Sequence, residues 1–286
     1  MTSFQPRLVL HIGMHKTGTT SIQRFFVRNR LALKCFGIDY PKAFDANGRR
    51  LPKHNDFFVA ISHEKDSGKP HPALGPSAAR VEKLAGRVKA GRVTVLSAEG
   101  LSGEHPTFAR AFAPLRGKFD VRVVCFLRRQ DEWAGSFYKQ MVQSREVRES
   151  RKFNDFLRIR STRDHLDYAK MLGWWADALG PDAIRVEIYS PKTPVLPAFL
   201  TAAGLPKSLD LLPFGKGTQN RSPNSDTVER IRAANKMKLP KPPPLPTDQD
   251  APYFTPQARD KFMAAFEAGN EAIRARFRPD LARLFD

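Results

Sequence analysis

A glycine-containing segment near the start of the sequence has residues that could bind a phosphate group. The segment Gly13–Thr20 reads GMHKTGTT and lies between an apolar run and a run with helical spacing. A strand–loop–helix connection of this kind gathers backbone N–H groups and the positive end of the helix dipole around one point. Lys16, inside the loop, can reach a phosphate oxygen. The segment therefore predicts an anion site.

This loop differs from the nucleotide-hydrolase loop G-x-x-x-x-G-K-[ST]. The spacing from Gly13 to Gly18 fits, but Thr19 follows Gly18 where that loop has lysine. The neighbouring predicted strands end in SAEG and RRQ, without the Asp that would help to hold Mg²⁺. These departures weigh against an ATPase, a GTPase or a nucleotide kinase, which stays an alternative. No His/Cys/Asp cluster has metal-ligand spacing, so no metal is expected.

A second candidate anion site follows the third predicted strand. Arg128 ends that strand, and Ser136 lies eight residues later in a run with helical spacing. The guanidinium offers forked donors to a phosphate, and the Ser136 hydroxyl can add a third contact. A salt bridge and a helix cap at the start of the helix are the alternative interpretation.

Alternating strands and helices must position these residues. Apolar runs predict strands at Leu8–Ile12, Arg92–Ser97, Val121–Leu127 and Ile184–Tyr189. Runs with helical spacing separate them at residues 21–36, 77–90, 131–143 and 165–180. This alternation predicts a parallel α/β sheet over about residues 1–190.

The remaining part, about residues 191–286, has a different character. It contains the proline-rich stretch KLPKPPPLPTD from Lys238, flanked by helical patterns at Ser225–Met237 and Thr255–Phe277. Prolines at this density predict an extended surface connector. We expect helical decoration on the same core, so that residues 1–286 form a single domain.

Composition excludes several classes of protein. The 286 residues are 41% apolar and 27% charged, which excludes a wholly disordered chain. No run approaches the ~20 apolar residues of a membrane span, and the first residues lack the pattern of a secretory signal. We therefore expect a soluble, cytoplasmic protein. The net charge of +19 favours anionic partners, but the basic residues are scattered, which argues against the alternative of a nucleic-acid-binding protein.

Together these motifs resemble those of sulfotransferases, which take a sulfuryl group from 3′-phosphoadenosine 5′-phosphosulfate (PAPS). HKTGTT at residues 15–20 resembles their 5′-phosphosulfate loop, and LRRQDEWAGSFYKQ at residues 127–140 resembles the strand end and helix that bind the 3′-phosphate. FGKGTQNRSPN at residues 214–224 resembles the loop that closes over this cofactor. The resemblance implies a P-loop-type three-layer sandwich with a central parallel sheet and helical C-terminal decoration. The cofactor-binding residues that it implies are His15, Lys16, Thr17, Gly18, Thr19, Thr20, Arg128, Ser136, Lys216, Gly217 and Arg221.

The resemblance also implies catalytic roles. Lys16 would stabilise charge on the leaving phosphate, and no metal is needed. His54 lies in the segment where many of these enzymes carry their base, and it is the first candidate to deprotonate the acceptor. Glu99 is the second candidate, because it ends a predicted strand at the carboxyl edge of the sheet, where ligands bind in such folds.

The acceptor follows from analogy and charge. HKTGTT, SAEGLS and LRRQ look most like bacterial-type glycan sulfotransferases, which implies a carbohydrate hydroxyl as acceptor. The net charge of +19 adds the expectation of an anionic polysaccharide or a lipid-linked glycan, with peripheral contact to a membrane. No nucleic acid is expected.

Overall fold

The structure, a computed structural model, describes residues 6–103, 105–213 and 223–285. Within these ranges the strands are β1 (Arg7–His11), β2 (Ile38–Asp39), β3 (Ala43–Phe44), β4 (Arg50–Leu51), β5 (Val93–Ser97), β6 (Asp120–Leu127) and β7 (Ile184–Ile188). The α-helices are α1 (Thr19–Arg28), α2 (Arg30–Cys35), α3 (Asn55–Ser67), α4 (Ser77–Ala85), α5 (Thr107–Arg110), α6 (Gln130–Gln143), α7 (Phe153–Leu157), α8 (Arg160–Leu166), α9 (Tyr168–Leu179), α10 (Val195–Ala203), α11 (Ser225–Lys236), α12 (Pro256–Ala264) and α13 (Glu267–Phe277). Short 3₁₀ helices span Glu99–Ser102, Ala113–Leu115, Pro181–Ala183 and Lys207–Leu211.

Five strands form the central sheet in the order β2-β5-β1-β6-β7, and all of them run parallel. At the end of β1, His11 pairs with Ser97 of β5 on one side and Val124 of β6 on the other. Strands β3 and β4 form a separate antiparallel hairpin. The carboxyl ends of β5, β1 and β6 therefore lie side by side, and the segments that follow them leave from one edge.

Helices cover both faces of the sheet because successive strand residues point to opposite sides. On one face, Leu8, Leu10 and Cys125 pack in a cluster with buried residues of α3, α4, α6, α9, α11 and α13. On the other face, Val9 and Phe126 pack with α1, α2 and α10. The prediction of a three-layer α/β sandwich with a central parallel sheet is confirmed.

The four predicted strands all lie in this sheet. The predicted helical stretches 77–90, 165–180 and 255–277 are shortened or divided. The helical pattern over residues 21–36 breaks into α1 and α2 at Asn29, whose side-chain amide donates to the carbonyl oxygens of Phe25 and Pro213 at 3.1 Å. Asparagine side chains compete in this way with the hydrogen bonds of the helix backbone. The edge strand β2 has two residues, too few for a hydrophobic pattern to indicate.

The C-terminal helices pack onto the sheet layer through α6 and α9. The proline-rich stretch is extended and is held at its backbone: Arg148 donates to Leu239 O at 2.7 Å and Arg230 donates to Pro243 O at 2.9 Å. The chain then continues across α6 to residues 250–254. Among the helices of the described ranges, none combines the length and the apolar character that a bilayer span requires.

Candidate functional site

A cleft of about 840 Å³ opens at the carboxyl edge of the sheet. Its walls come from the segments after β1, β5, β6 and β7, from α6 and from residues 250–254. The sequence-predicted residues that line it are His15, Lys16, Gly18, Thr19, Thr20, Glu99, Arg128 and Ser136. The two candidate anion sites and one candidate base thus share a single cleft.

The loop before α1 is shaped by two residues in the left-handed region, Lys16 (φ 66°) and Gly18 (φ 78°). Gly18 is the N-cap of α1, and no side chain of the described residues caps this helix. A Cβ atom on Gly18 would lie 2.8 Å from Val195 Cγ1, so only glycine fits between the loop and α10. The uncapped N–H groups at the start of α1 remain available to an anion.

Thr17 has a structural position within this loop. Its side chain is fully buried, and its hydroxyl donates to Met14 O at 2.7 Å. The hydroxyl therefore stabilises the loop and does not line the cleft, whereas the contact predicted for Thr17 is made by its backbone N–H and stays a prediction.

Glu99 connects the loop to the neighbouring strand. Its carboxylate accepts a hydrogen bond from the Thr19 hydroxyl and lies 3.4 Å from Lys53 Nζ and 3.6 Å from His15 Nδ1. The Glu99 side chain is 12% exposed, and it lines the cleft. The Glu99 carboxylate is therefore held in a fixed orientation beside the loop Gly13–Thr20, which is called the phosphate loop below. A base that deprotonates an acceptor hydroxyl needs such a position.

The loop's two basic side chains are both partly desolvated. Burial lowers the pKa of Lys16, the nearby Arg128 lowers it further, and Glu99 opposes the shift. Burial also lowers the pKa of His15, again against Glu99. A bound anion would favour the charged form of Lys16, and its attraction to that charge would stabilise the complex.

Arg128 and Ser136 both face the cleft from the segment after β6. The Arg128 guanidinium lies 5.4 Å from the centre of the Tyr189 ring and 3.4 Å from Lys16 O. Its Nε donates to the Glu132 carboxylate at 3.2 Å, which is the salt bridge of the alternative interpretation. Arg128 lines the cleft while it makes this salt bridge, so the salt bridge is compatible with anion binding by Arg128.

The structure does not support His54, the preferred candidate base. Its side chain is 2% exposed and lies outside this cleft. Nδ1 accepts from the Ser97 N–H at 3.1 Å, which leaves Nε2 to donate to Pro41 O at 3.0 Å. Both ring nitrogens are therefore engaged, and burial lowers the pKa of His54 to about 4. His54 connects β5 to the segment before α3, and the candidate base that remains is Glu99.

Buried His54 predicts a pH dependence of stability. Its pKa is about 4 in the native state, whereas an unfolded histidine titrates near ~6.5. Between these values the unfolded chain binds a proton that the native chain does not, so the free energy of unfolding falls as the pH is lowered through this window. Urea unfolding at several pH values in this window measures how the free energy of unfolding depends on pH. This dependence should be shallower for His54→Gln than for wild type, and the same as wild type for His105→Gln, whose side chain is exposed. Equal slopes for wild type and His54→Gln would contradict the assignment.

Sequence reasoning missed one wall of the cleft, formed by residues 250–254. Asp250 accepts from Lys139 Nζ at 2.7 Å and from Ser225 N at 3.0 Å. Tyr253 stacks on Phe153 with ring centres 4.6 Å apart. No local pattern indicated this wall, because it depends on where the proline-rich connector ends.

The cleft also contains basic residues beyond those predicted: Arg129, Lys139 and Arg259. Arg129 and Arg259 both contact the buried carboxylate of Asp131, at 2.7 and 3.0 Å. The Arg128–Arg129 doublet was the available signal for Arg129. Lys216, Gly217 and Arg221 lie outside the described residues, and their predicted role stays a prediction. Among residues 6–103, 105–213 and 223–285, no group of three or more His, Cys, Asp or Glu side chains could hold a metal ion.

Comparisons with known proteins place this fold. No protein-family model matches the sequence. An uncharacterized protein from Archaeoglobus fulgidus is 38% identical over 88 residues, which are 29% of this chain, and the match spans only 22% of that relative's length.

Two solved structures cover most of the chain. The alignment with mouse sulfotransferase SULT7A1 complexed with PAP covers 95% of this chain and 84% of the mouse chain, with 11% identity and a TM-score of 0.45. The alignment with the sulfotransferase from Alicyclobacillus acidocaldarius covers 93% of this chain and 94% of the Alicyclobacillus chain, with 16% identity and a TM-score of 0.52. On the second comparison, the chain has the α/β fold of a sulfotransferase.

Proposed function

We propose that the protein is a sulfotransferase that moves the sulfuryl group of PAPS to a hydroxyl group of a carbohydrate. One observation carries the proposal: the phosphate loop, the Arg128–Ser136 pair and Glu99 line the same cleft. Thr19 follows Gly18 where a nucleotide kinase would have lysine, and the basic residues are scattered, which disfavours a nucleic-acid-binding surface. The sulfotransferase fold is consistent with the proposal.

The donor set of the cleft fits PAPS. This molecule has anionic groups at two ends, and the cleft has an uncapped helix N-terminus with Lys16 at one place and Arg128 with Ser136 at another. Its volume of about 840 Å³ lies within the range of small-molecule sites, ~300–1,000 Å³. His15, Thr19 and Thr20 would complete the contacts at the loop. PAPS supplies a sulfuryl group on a phosphate that can leave.

Within this proposal, each side chain has a defined role. Lys16 and the N–H groups at the start of α1 stabilise negative charge at the loop. Glu99 takes the proton from the acceptor hydroxyl, and its hydrogen bond from Thr19 holds the carboxylate at the loop. Arg128 and Ser136 bind the 3′-phosphate, so they set the position of the donor.

The proposed acceptor is an acidic glycan. The net charge of +19 and the motifs' resemblance to those of glycan sulfotransferases favour an anionic polysaccharide or a lipid-linked glycan at a membrane face.

Ligand-induced stabilisation tests the donor site. Adenosine 3′,5′-bisphosphate should raise the melting temperature of the wild-type protein, and 5′-AMP, which lacks the 3′-phosphate, should raise it much less. Arg128→Ala should weaken binding of the bisphosphate by about 2 kcal/mol, since it removes a charged partner of the 3′-phosphate. Titration calorimetry of both nucleotides against both proteins measures this directly.

The matched control is Arg110→Ala, which removes an exposed arginine on α5, outside the cleft. It should leave both affinities unchanged. Equal stabilisation by the two nucleotides would remove Arg128 and Ser136 from the donor site. Failure of the bisphosphate to bind at all would overturn the proposed function.

A further inference from the structure

His15 brings a titratable imidazole from the phosphate loop into the cleft of about 840 Å³, which is called the donor cleft below. Its side chain is 29% exposed and lines this cleft, as does the side chain of Lys16, the next residue. An unperturbed imidazole changes its charge near pH ~6.5, far from the pH at which a lysine or a carboxylate does so. A ligand of the loop can therefore meet His15 in either of two charge states.

Contacts with α6 fix the position of this imidazole. The ring stacks on Phe137, with ring centres 5.8 Å apart and an angle of 29° between the planes. The backbone carbonyl of His15 accepts from Trp133 Nε1 at 3.0 Å, and Trp133 itself stacks on Phe137 with ring centres 4.5 Å apart. Rotation of the imidazole out of the cleft would break its stacking, so we expect the ring to keep its place when its charge changes.

Charged groups from four segments act on His15. Glu99, in the segment after β5, has its Oε2 3.6 Å from His15 Nδ1. The cationic or titratable neighbours are Lys16 in the loop itself, Lys53 before α3 and His165 of α8. Burial lowers the pKa of His15, Glu99 opposes this shift, and the three other groups add to it. The protein without ligand therefore favours the neutral imidazole at neutral pH.

An anion bound at the loop would change this balance. Lys16 and the uncapped N–H groups of α1 would hold the anion in the cleft that His15 lines. Negative charge near an imidazole favours its protonated form, and partial desolvation strengthens the interaction. The anion and the proton would then favour each other's binding. By thermodynamic reciprocity, each changes the affinity of the other by the same factor.

We propose that His15 takes up a proton when an anion binds to the phosphate loop, so that the donor cleft binds its ligand more tightly as the pH falls through the titration of His15. The identity of that ligand as PAPS or adenosine 3′,5′-bisphosphate rests on the proposed function. The coupling itself does not, because any anion held at the loop produces it.

Nuclear magnetic resonance titration of the histidine Cε1–H signals measures the coupling directly. The whole protein is titrated with and without saturating adenosine 3′,5′-bisphosphate, and the His15 signal is identified by its absence from His15→Gln. We expect the bisphosphate to raise the proton affinity of His15 about 10-fold. The signal of His105, an exposed histidine outside the cleft, should titrate as before. An unchanged or lowered proton affinity of His15 would overturn the proposal.

Titration calorimetry of the bisphosphate between about pH 5 and pH 8 measures the reciprocal effect. The ratio of the wild-type Kd to the His15→Gln Kd should rise with pH, by up to about 10-fold. The nucleotide's own phosphates also titrate near pH ~6, but they contribute equally to both proteins, so the ratio isolates His15. His105→Gln should match the wild type at every pH, and His15→Asn replaces His15→Gln if that variant does not fold. A constant ratio would contradict the coupling.

Inorganic sulfate separates failure of this proposal from failure of the proposed function. Sulfate has no ionisable proton in this pH range, so any proton taken up on its binding goes to the protein. If the bisphosphate does not bind at all, the proposed function fails, and a sulfate-dependent rise in the proton affinity of His15 would still support the coupling. If the bisphosphate binds and His15 does not respond, the coupling fails and the donor site stands. No response of His15 to either anion would also overturn the coupling.

Discussion

Glu99→Gln should lower kcat by about 10²–10⁴ and leave the affinity for adenosine 3′,5′-bisphosphate close to that of the wild type. The amide keeps the size of the side chain and an oxygen that can accept from the Thr19 hydroxyl, but it cannot take a proton. The expected loss is therefore specific to the chemical step. Single-turnover rates with PAPS and a glycan acceptor measure it, beside Glu146→Gln, an exposed control on the segment after α6.

Glu99→Asp separates a base from a residue that only positions the loop. If Glu99 is the base, this variant keeps a carboxylate and should restore part of the rate that Glu99→Gln loses, with nucleotide affinity unchanged. A loss of rate in both variants together with weaker nucleotide binding would show a positioning role. A wild-type rate in Glu99→Gln would exclude Glu99 from the reaction.

Lys16→Met should reduce kcat by about 10²–10³, with a smaller effect on nucleotide affinity. Methionine keeps an apolar stem of similar length and loses the ammonium group. Because Lys16 is partly desolvated, its charge interacts strongly with an anion that binds at the loop before α1. Rapid-quench measurement of the chemical step checks the expected loss.

Lys238→Met is a suitable control for backbone strain. Lys16 and Lys238 are both lysines in the left-handed region, with φ of 66° and 58°, but Lys238 is exposed in the proline-rich stretch. The control should keep full activity and a similar melting temperature. Comparable loss in both variants would attribute the effect of Lys16→Met to the backbone.

Much of the sheet and of the donor cleft could be predicted from the sequence. Buried parallel strands are mostly apolar runs, so β1, β5 and β6 were visible without any structure. β7 alternates apolar and charged residues (IRVEI) and was indicated by its place after a helix that ends at Gly180 and Pro181. Their common direction then brought the loop with Lys16, Glu99 and Arg128 to one edge. This step needs only the rule that parallel strands end on the same side.

The position of His54 was beyond this reasoning. A sequence shows that a histidine lies between a helix and a strand, but not that its ring is buried between Ser97 and Pro41. The hydrogen bonds that engage both of its ring nitrogens join residues far apart along the chain. The single-domain division stays a prediction.

The wall at residues 250–254 links ligand binding to the C-terminal third of the chain. Asp250 is held to α6 by Lys139 and to the start of α11 by Ser225, and Tyr253 stacks on Phe153 of α7. Because this wall and the loop before α1 line the same cleft, a ligand that contacts both should increase the resistance of the C-terminal third to local unfolding. For the same reason, a chain shortened before residue 250 would lose affinity even with every residue of the phosphate loop intact.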